Sequence, residues 1–480
     1  MTHFKGKKLV LFSNTFPYGK GETFLADELP FVSSEFERVI IIPLFKAQST
    51  ICNSSNSEIL NRTLPHNVEI ERPLLDFEDK NKRALIDVGF FDLFPFTWTR
   101  ASGFSSKEFW NRMLRGKNIA LLPGQKKAPL KRRVWIYFNY LFIKRAITGN
   151  KKRWREIVSL CSLSDVIYFY WGDKSVLIGP DLKKELSKLN STPPAICARL
   201  HGSDLYEGAK GYLPYREEIY GSLDFAAVDS EHGCSYIREN YHNQPKELRP
   251  CFMGSIKIES DDNRVIKTND REDRVLHLLS CANVIELKRV KLIFRSILEI
   301  LENTDLYSRL ISSGYDKISW RHFGSGELMD DLRETVNEYL TKTNDSKLIV
   351  SLMGQVTHNE VLEYYNKNGG DLFFLLSRSE GVPISLMEAL SYSIPIVATS
   401  VGGVPEIFTD DKPTIGKMNI GYLLSQNPTI QEVVETILNY ASLSQEEKMQ
   451  MRKQAFDRWK EKWNGATNYQ EFAYLLSNIL

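Results

Sequence analysis

Ser379-Glu380-Gly381-Val382-Pro383-Ile384-Ser385-Leu386-Met387-Glu388-Ala389-Leu390, followed shortly by Ile394-Pro395-Ile396-Val397-Ala398-Thr399, is the stretch whose reading decides the fold. Just upstream, Asp371 to Ser377 is a short apolar run, expected to be a buried parallel strand. Glu380 then falls in a turn, and Pro383 stands where the first position of a helix would be. Glu388 lies on that helix with seven residues between the two acids, and Ile394 to Thr399 reads as the next strand. The unit is strand, loop, helix, strand, with one carboxylate above the sheet edge and a second within reach on the helix. A helix start presents free N–H groups and partial positive charge, which suits a phosphate. Carboxylates suit hydroxyl groups, as on a sugar or a ribose. Together they ask for a sugar nucleotide.

Working outward, short apolar runs alternate with helical patterns in two series, the sign of α/β layering. The first series is Leu9–Asn14, Arg38–Leu44, Val166–Trp171, Ala195–His201 and Phe225–Ser230. The second is Val275–Cys281, Trp320–Gly324, Leu348–Met353, Leu372–Ser377 and Ile394–Thr399. The polar stretch Glu259–Arg264 reads as a linker. Two Rossmann-like domains are expected, 1–256 and 257–463, followed by an amphipathic helix over 464–480 that packs back on the first. A chain of 480 residues suits this division. Residues 46 to 160 fit the alternation poorly and read as an elaboration of the first domain.

Other strand ends carry polar loops. Ser280 to Arg289 contains Asn283, Lys288 and Arg289 ahead of the helical pattern Val290 to Leu301. Gly324-Ser325-Gly326 is a Gly-x-Gly turn without the third glycine of a dinucleotide fingerprint. Phe16 to Phe24 holds Gly19 and Gly21, which would let backbone N–H groups approach a diphosphate or simply make the loop flexible. Arg199-Leu200-His201-Gly202-Ser203-Asp204 ends a strand, a placement that suits His201 to chemistry. Asp204 either orients His201 or caps the next helix.

Composition narrows the class. No apolar run reaches the roughly 18 residues of a membrane span, and Lys7-Lys8 leads directly into a core strand rather than a signal peptide. The six cysteines lack any C-x-x-C spacing, so free thiols in a reducing cytoplasm are expected. There is no H-E-x-x-H, P-loop or D-x-D pair, and no metal or cofactor is expected. The net charge of +2 hides segregation: Lys107 to Arg155 holds 15 basic residues against Glu108 alone. Those charges flank the apolar, aromatic run Val134–Ile143, which is too short to span a bilayer but suited to an interface.

The string Glu380-x7-Glu388, with the later Val401-Gly402-Gly403-Val404-Pro405-Glu406, resembles the donor-site signature of glycosyltransferase family 4. The other loops occur in that family's order. The resemblance implies an α/β GT-B fold, two Rossmann-like domains facing across a cleft, and a retaining enzyme moving a sugar from a nucleotide diphosphate to an acceptor hydroxyl. It implies that Glu380 contacts the transferred sugar, Lys288 the diphosphate, and that His201 lines the reaction centre. Donor contacts are implied for Gly21, Asn283, Arg289, Gly326, Gly381, Val382, Pro383, Ser385 and Glu388, the last on the ribose. In the family an Arg stands at the place of Asn283, so Arg289 is expected to supply the second cation. The implied partners are a nucleotide-sugar donor and a glycan or lipid-linked acceptor; the charge segregation separately leads to the expectation that Lys107–Arg155 meets an anionic membrane surface at its cytoplasmic face. A sugar-nucleotide epimerase or phosphorylase on the same fold is the rival among enzymes. The rival from another class is an RNA-binding protein using the basic segment, although no nucleic-acid motif is present.

Overall fold

The computed structural model describes residues 6–18, 22–45, 64–75, 129–207, 212–257, 274–343 and 346–479. Gly21 and the basic residues from Lys107 to Lys127 lie outside them. The chain divides into two units, Met1–Phe252 with Thr467–Leu480, and Met253–Ala466.

The first unit is built on β1 (Lys8–Ser13), β2 (Arg38–Pro43), β3 (Val68–Ile70), β4 (Val166–Phe169), β5 (Ala195–Leu200), β6 (Phe225–Val228) and β7 (Glu247–Pro250). They pair in the order β3-β2-β1-β4-β5-β6-β7, all parallel. The period-two alternation of a strand supplies both faces of this sheet. On β1, Leu9 and Leu11 face one core and Val10 and Phe12 face the other. The first core includes Phe472 and Leu476 of the C-terminal helix Gly465–Ser477. The second includes Ile136, Tyr137, Tyr140 and Ile143 of the helix Leu130–Gly149. The aromatic run expected at an interface therefore spends its inner face on the protein's own core; of its other residues Phe142 is 38% exposed, and the exposed basic residues Lys131, Arg132 and Arg145 lie to either side of the run.

The second unit is built on β8 (Val275–Cys281), β9 (Lys317–Phe323), β10 (Leu348–Leu352), β11 (Leu372–Leu375), β12 (Ile396–Thr399), β13 (Gly416–Met418) and β14 (Gly421–Leu424). The order is β10-β9-β8-β11-β12-β14-β13, parallel except for β13. Apolar residues at helical spacing lay the helix Val290–Glu302 on this sheet: Val290, Ile293, Phe294, Ile297, Ile300 and Leu301 are all buried. In both units strand order reverses next to the first strand, between β1 and β4 and between β8 and β11. Loops at the carboxyl ends of such a pair form the natural ligand crevice of an open parallel sheet.

Candidate functional site

In the second unit, the loops leaving β8 and β11 are stitched together: Arg378 N–H donates to the Leu287 carbonyl at 2.8 Å. This brings Lys288 and Glu380 into an ion pair through Glu380 Oε1, with side chains only 20% and 12% exposed. Ser377 Oγ donates to the same oxygen at 2.5 Å, and Thr399 Oγ1 of β12 donates to the Ser377 carbonyl at 2.6 Å. The carboxylate is thus held from two strands as well as by the lysine. Shielded from water, such a pair is screened less than a surface one.

Gly402 fixes the height of this loop. Its φ is +53°, and a Cβ there would lie 1.9 Å from the Glu380 carbonyl oxygen. Gly403 N–H donates to the Gly381 carbonyl at 3.0 Å. The helix Ile384–Ser391 then starts, and its first turn receives no side-chain cap. Pro383 occupies the N-cap rather than the first helical position, because its ψ of 120° is still extended. Gly381, Val382 and Ser385 lie along this entry, Val382 buried and the other two half-buried. Free N–H groups therefore open beside Lys288 and Glu380, an arrangement suited to an anion.

Glu388 is 5% exposed on that helix, and His358 Nε2 stands 2.7 Å from its Oε1. Sequence reading missed His358, since nothing in a histidine at a helix start signals a partner thirty positions on. Burial, reinforced by the Glu388 charge, pushes the Cys281 thiol up to about 12, which disfavours its thiolate form.

Two expected donor contacts are used within the protein. Arg289 Nη1 donates to the Gln426 carbonyl at 2.9 Å and Nη2 to Asn427 Oδ1 at 2.6 Å. Its guanidinium is committed to the loop after β14 rather than directed beside Lys288. Burial, with the like charge of Arg378, lowers its pKa. A Cβ on Gly326 would lie 2.6 Å from the Val284 carbonyl oxygen, and Val284 N–H donates to the Ser325 carbonyl at 3.1 Å. The Gly-x-Gly turn thus braces the lysine loop. Asn283 is exposed on that loop.

In the first unit, His201 follows β5, 8% exposed, with its ring centroid 4.4 Å from that of Trp171 and 5.3 Å from that of Tyr170. Among the described residues neither ring nitrogen has a hydrogen-bond partner, and Nδ1 stands 3.7 Å from Asp204 Oδ2. Asp204 caps rather than orients: its Oδ1 accepts from His201 N–H at 2.6 Å and its Oδ2 from Gly172 N–H at 2.7 Å. Glu22, which sequence reading passed over, organises the loop after β1. Buried to 2% exposure, it accepts from the N–H groups of Asn14, Thr15 and Phe16 and from Trp171 Nε1, at 2.6–2.9 Å. Its signal was visible only as an acid following a strand by nine residues, too common to read. Gly21 falls outside the described residues.

Residues 279–458 match the family described as Glycosyl transferases group 1. That match lies wholly within the second unit. The glycosyltransferase match thus begins within β8 and spans both loops that hold Lys288 and Glu380. Over 87 residues, 18% of the chain, it is 37% identical to TuaC of Bacillus subtilis (strain 168), a glycosyltransferase assigned to teichuronic acid biosynthesis. Over 166 residues, 33% of the chain, it is 26% identical to WcaL of Escherichia coli (strain K12), assigned to colanic acid biosynthesis. These matches span 20% and 37% of the two relatives' lengths. Among solved structures, Anabaena Alr3699/HepE in complex with UDP and glucose superposes with a TM-score of 0.57 at 11% identity, covering 98% of this chain and 99% of that one. The fold is that of the GT-B glycosyltransferases.

Proposed function

We propose that the protein moves a sugar from a nucleotide diphosphate to an acceptor hydroxyl with retention of configuration. The observation that carries the proposal is the pairing of Lys288 with Glu380 at the strand-order reversal of the unit that matches the glycosyltransferase model, beside an uncapped helix start. Departure of a diphosphate builds negative charge on its oxygens while the sugar turns positive. Lys288 and the free N–H groups of the helix Ile384–Ser391 would stabilise the first, and Glu380 the second. Before donor binds, the two side chains neutralise each other, so neither charge is buried alone. Glu388 would take the ribose hydroxyls. In this reading the leaving phosphate accepts the acceptor's proton on the same face, and no carboxylate is assigned as nucleophile. For His201 a role in the same reaction is proposed.

The reading needs no metal, since lysine and backbone N–H groups supply the positive charge. The Anabaena structures contain UDP, glucose and UDP-glucose, which makes UDP-sugars the first donors to try. The names of TuaC and WcaL favour a glycan or lipid-linked acceptor. No helix among the described residues is long and apolar enough to cross a membrane. We place the protein in the cytoplasm, held to an anionic membrane surface by its basic segment.

A donor screen across UDP-, GDP- and ADP-sugars, with and without acceptor, tests the proposal. Nucleotide release from one class of donor is expected, and conversion of the sugar without any release would instead show an epimerase. Glu380→Ala and Lys288→Ala should each lower kcat and kcat/KM together, by about 10²-fold or more. Near-normal turnover in a well-folded Glu380→Ala protein would refute the assignment.

A further inference from the structure

Glu388 has a side chain only 7% exposed, and a buried carboxylate stays ionised only with donors around it. One donor is in place, His358 Nε2 at 2.7 Å from Oε1. An ionised carboxylate only accepts, so Nε2 carries the proton in this contact. The imidazole is itself set by its element. His358 opens the helix His358–Asn368, whose capping residue Thr357 accepts from Glu360 N–H at 3.3 Å while Glu360 Oε2 accepts from Thr357 N–H at 2.7 Å. This reciprocal cap fixes the first turn and with it the origin of the side chain. His358 is 38% exposed, so it bridges from the surface to a carboxylate that is itself almost covered.

We infer that His358 is a positioning residue of the donor site. It fixes the rotation of the Glu388 carboxylate so that the remaining lone pairs meet ribose hydroxyls, and thereby sets a preference for ribonucleoside over 2′-deoxyribonucleoside diphosphates. This rests on the proposed nucleotide-sugar reading. A carboxylate pinned through one oxygen presents the other in a defined direction, which an unpinned one does not. A site built to bond a hydroxyl rejects the analogue lacking it, because its own buried group is then left unpaired.

Calorimetric titration with UDP, GDP and ADP first identifies the diphosphate that binds, and the same nucleotide in 2′-deoxy form is then compared. The wild-type protein is expected to favour the ribonucleotide by about tenfold or more. In His358→Ala that ratio should fall to about twofold or less, with donor KM raised and kcat little changed. His358→Gln keeps an amide donor and should restore most of the ratio. If His358→Ala melts early, His358→Phe keeps a ring without a donor and should show the same loss. A wild-type preference that survives intact in these donor-free variants overturns the inference while leaving the nucleotide reading standing. Equal binding of both nucleotide forms by the wild type would instead remove the ribose role of Glu388, and no binding of any of the three would remove the nucleotide reading itself.

Discussion

Asp229 closes β6 beside His201: Val228 is in register with Leu200, and Asp229 N–H donates to the Leu200 carbonyl at 3.3 Å. Burial pushes its carboxyl up to about 6, against the lowering effect of His201. Between about pH 4 and pH 6 the native protein therefore keeps a proton that the unfolded chain has lost. Stability falls as pH rises through that window and levels off above it. Asp229→Asn carries no such slope, and other titrations cancel between the two proteins. The Tm of Asp229→Asn relative to wild type is expected to be higher at pH 7.5 than at pH 4.5, by several degrees. Parallel melting curves at both pH values would show that Asp229 does not titrate there. At this scale, Glu380, Lys288 and Glu388 were legible because their spacing on strand–loop–helix units fixes where they stand. His358 and Glu22 were not, since their meaning lies in contacts with Glu388 and Trp171 that no local pattern encodes.

The loop from β12 to the helix Val404–Phe408 shows how one element sets the geometry of another. Gly402 carries no side chain, yet it lies against the backbone of Glu380 and Gly381. Adding a methyl group there meets a carbonyl oxygen, in a left-handed conformation that costs an L-residue about 1–2 kcal/mol. The Glu380 loop must move, and a shift of about 1 Å can cost about 10²-fold in rate. Gly402→Ala is therefore expected to lower kcat/KM by about 10²-fold while Tm falls only a few degrees; paired kinetics and melts check it, and full activity would show that the loop tolerates displacement. The ten apolar runs read from sequence all became strands, because buried parallel strands are continuous apolar segments. β3, β7, β13 and β14 went unread. β7 is Glu-Leu-Arg-Pro at a sheet edge, where polar residues and proline are tolerated. The other three are only three or four residues long, and their pairing is decided by neighbours rather than by their own pattern.

At the scale of the whole molecule, the charge of the chain is unevenly distributed, and packing decides what the basic segment can do. From sequence, Val134–Ile143 is expected to suit an interface. The helix Leu130–Gly149 instead puts Ile136, Tyr137, Tyr140 and Ile143 in the core of the first unit. Some basic groups are also spent internally: Arg153 Nη1 pairs with Glu71 and Glu156, each at 3.3 Å, and Lys144 with Asp181 at 2.9 Å. Lys131, Arg132, Arg145, Lys151, Lys152 and Arg155 remain on the exposed surface. Attraction to an anionic membrane should then be electrostatic, at about 1 kcal/mol for each basic residue near the surface, without burial of those four core side chains. Sedimentation with anionic vesicles is expected to recover the protein at low salt and to lose it at about 0.5 M salt, where screening acts within a few Å. Neutral vesicles should recover little at either salt. The triple variant Lys151→Glu, Lys152→Glu, Arg155→Glu should weaken recovery on anionic vesicles while leaving turnover of a soluble acceptor unchanged. Equal, salt-insensitive recovery with both kinds of vesicle would mean that apolar insertion, not charge, holds the protein there.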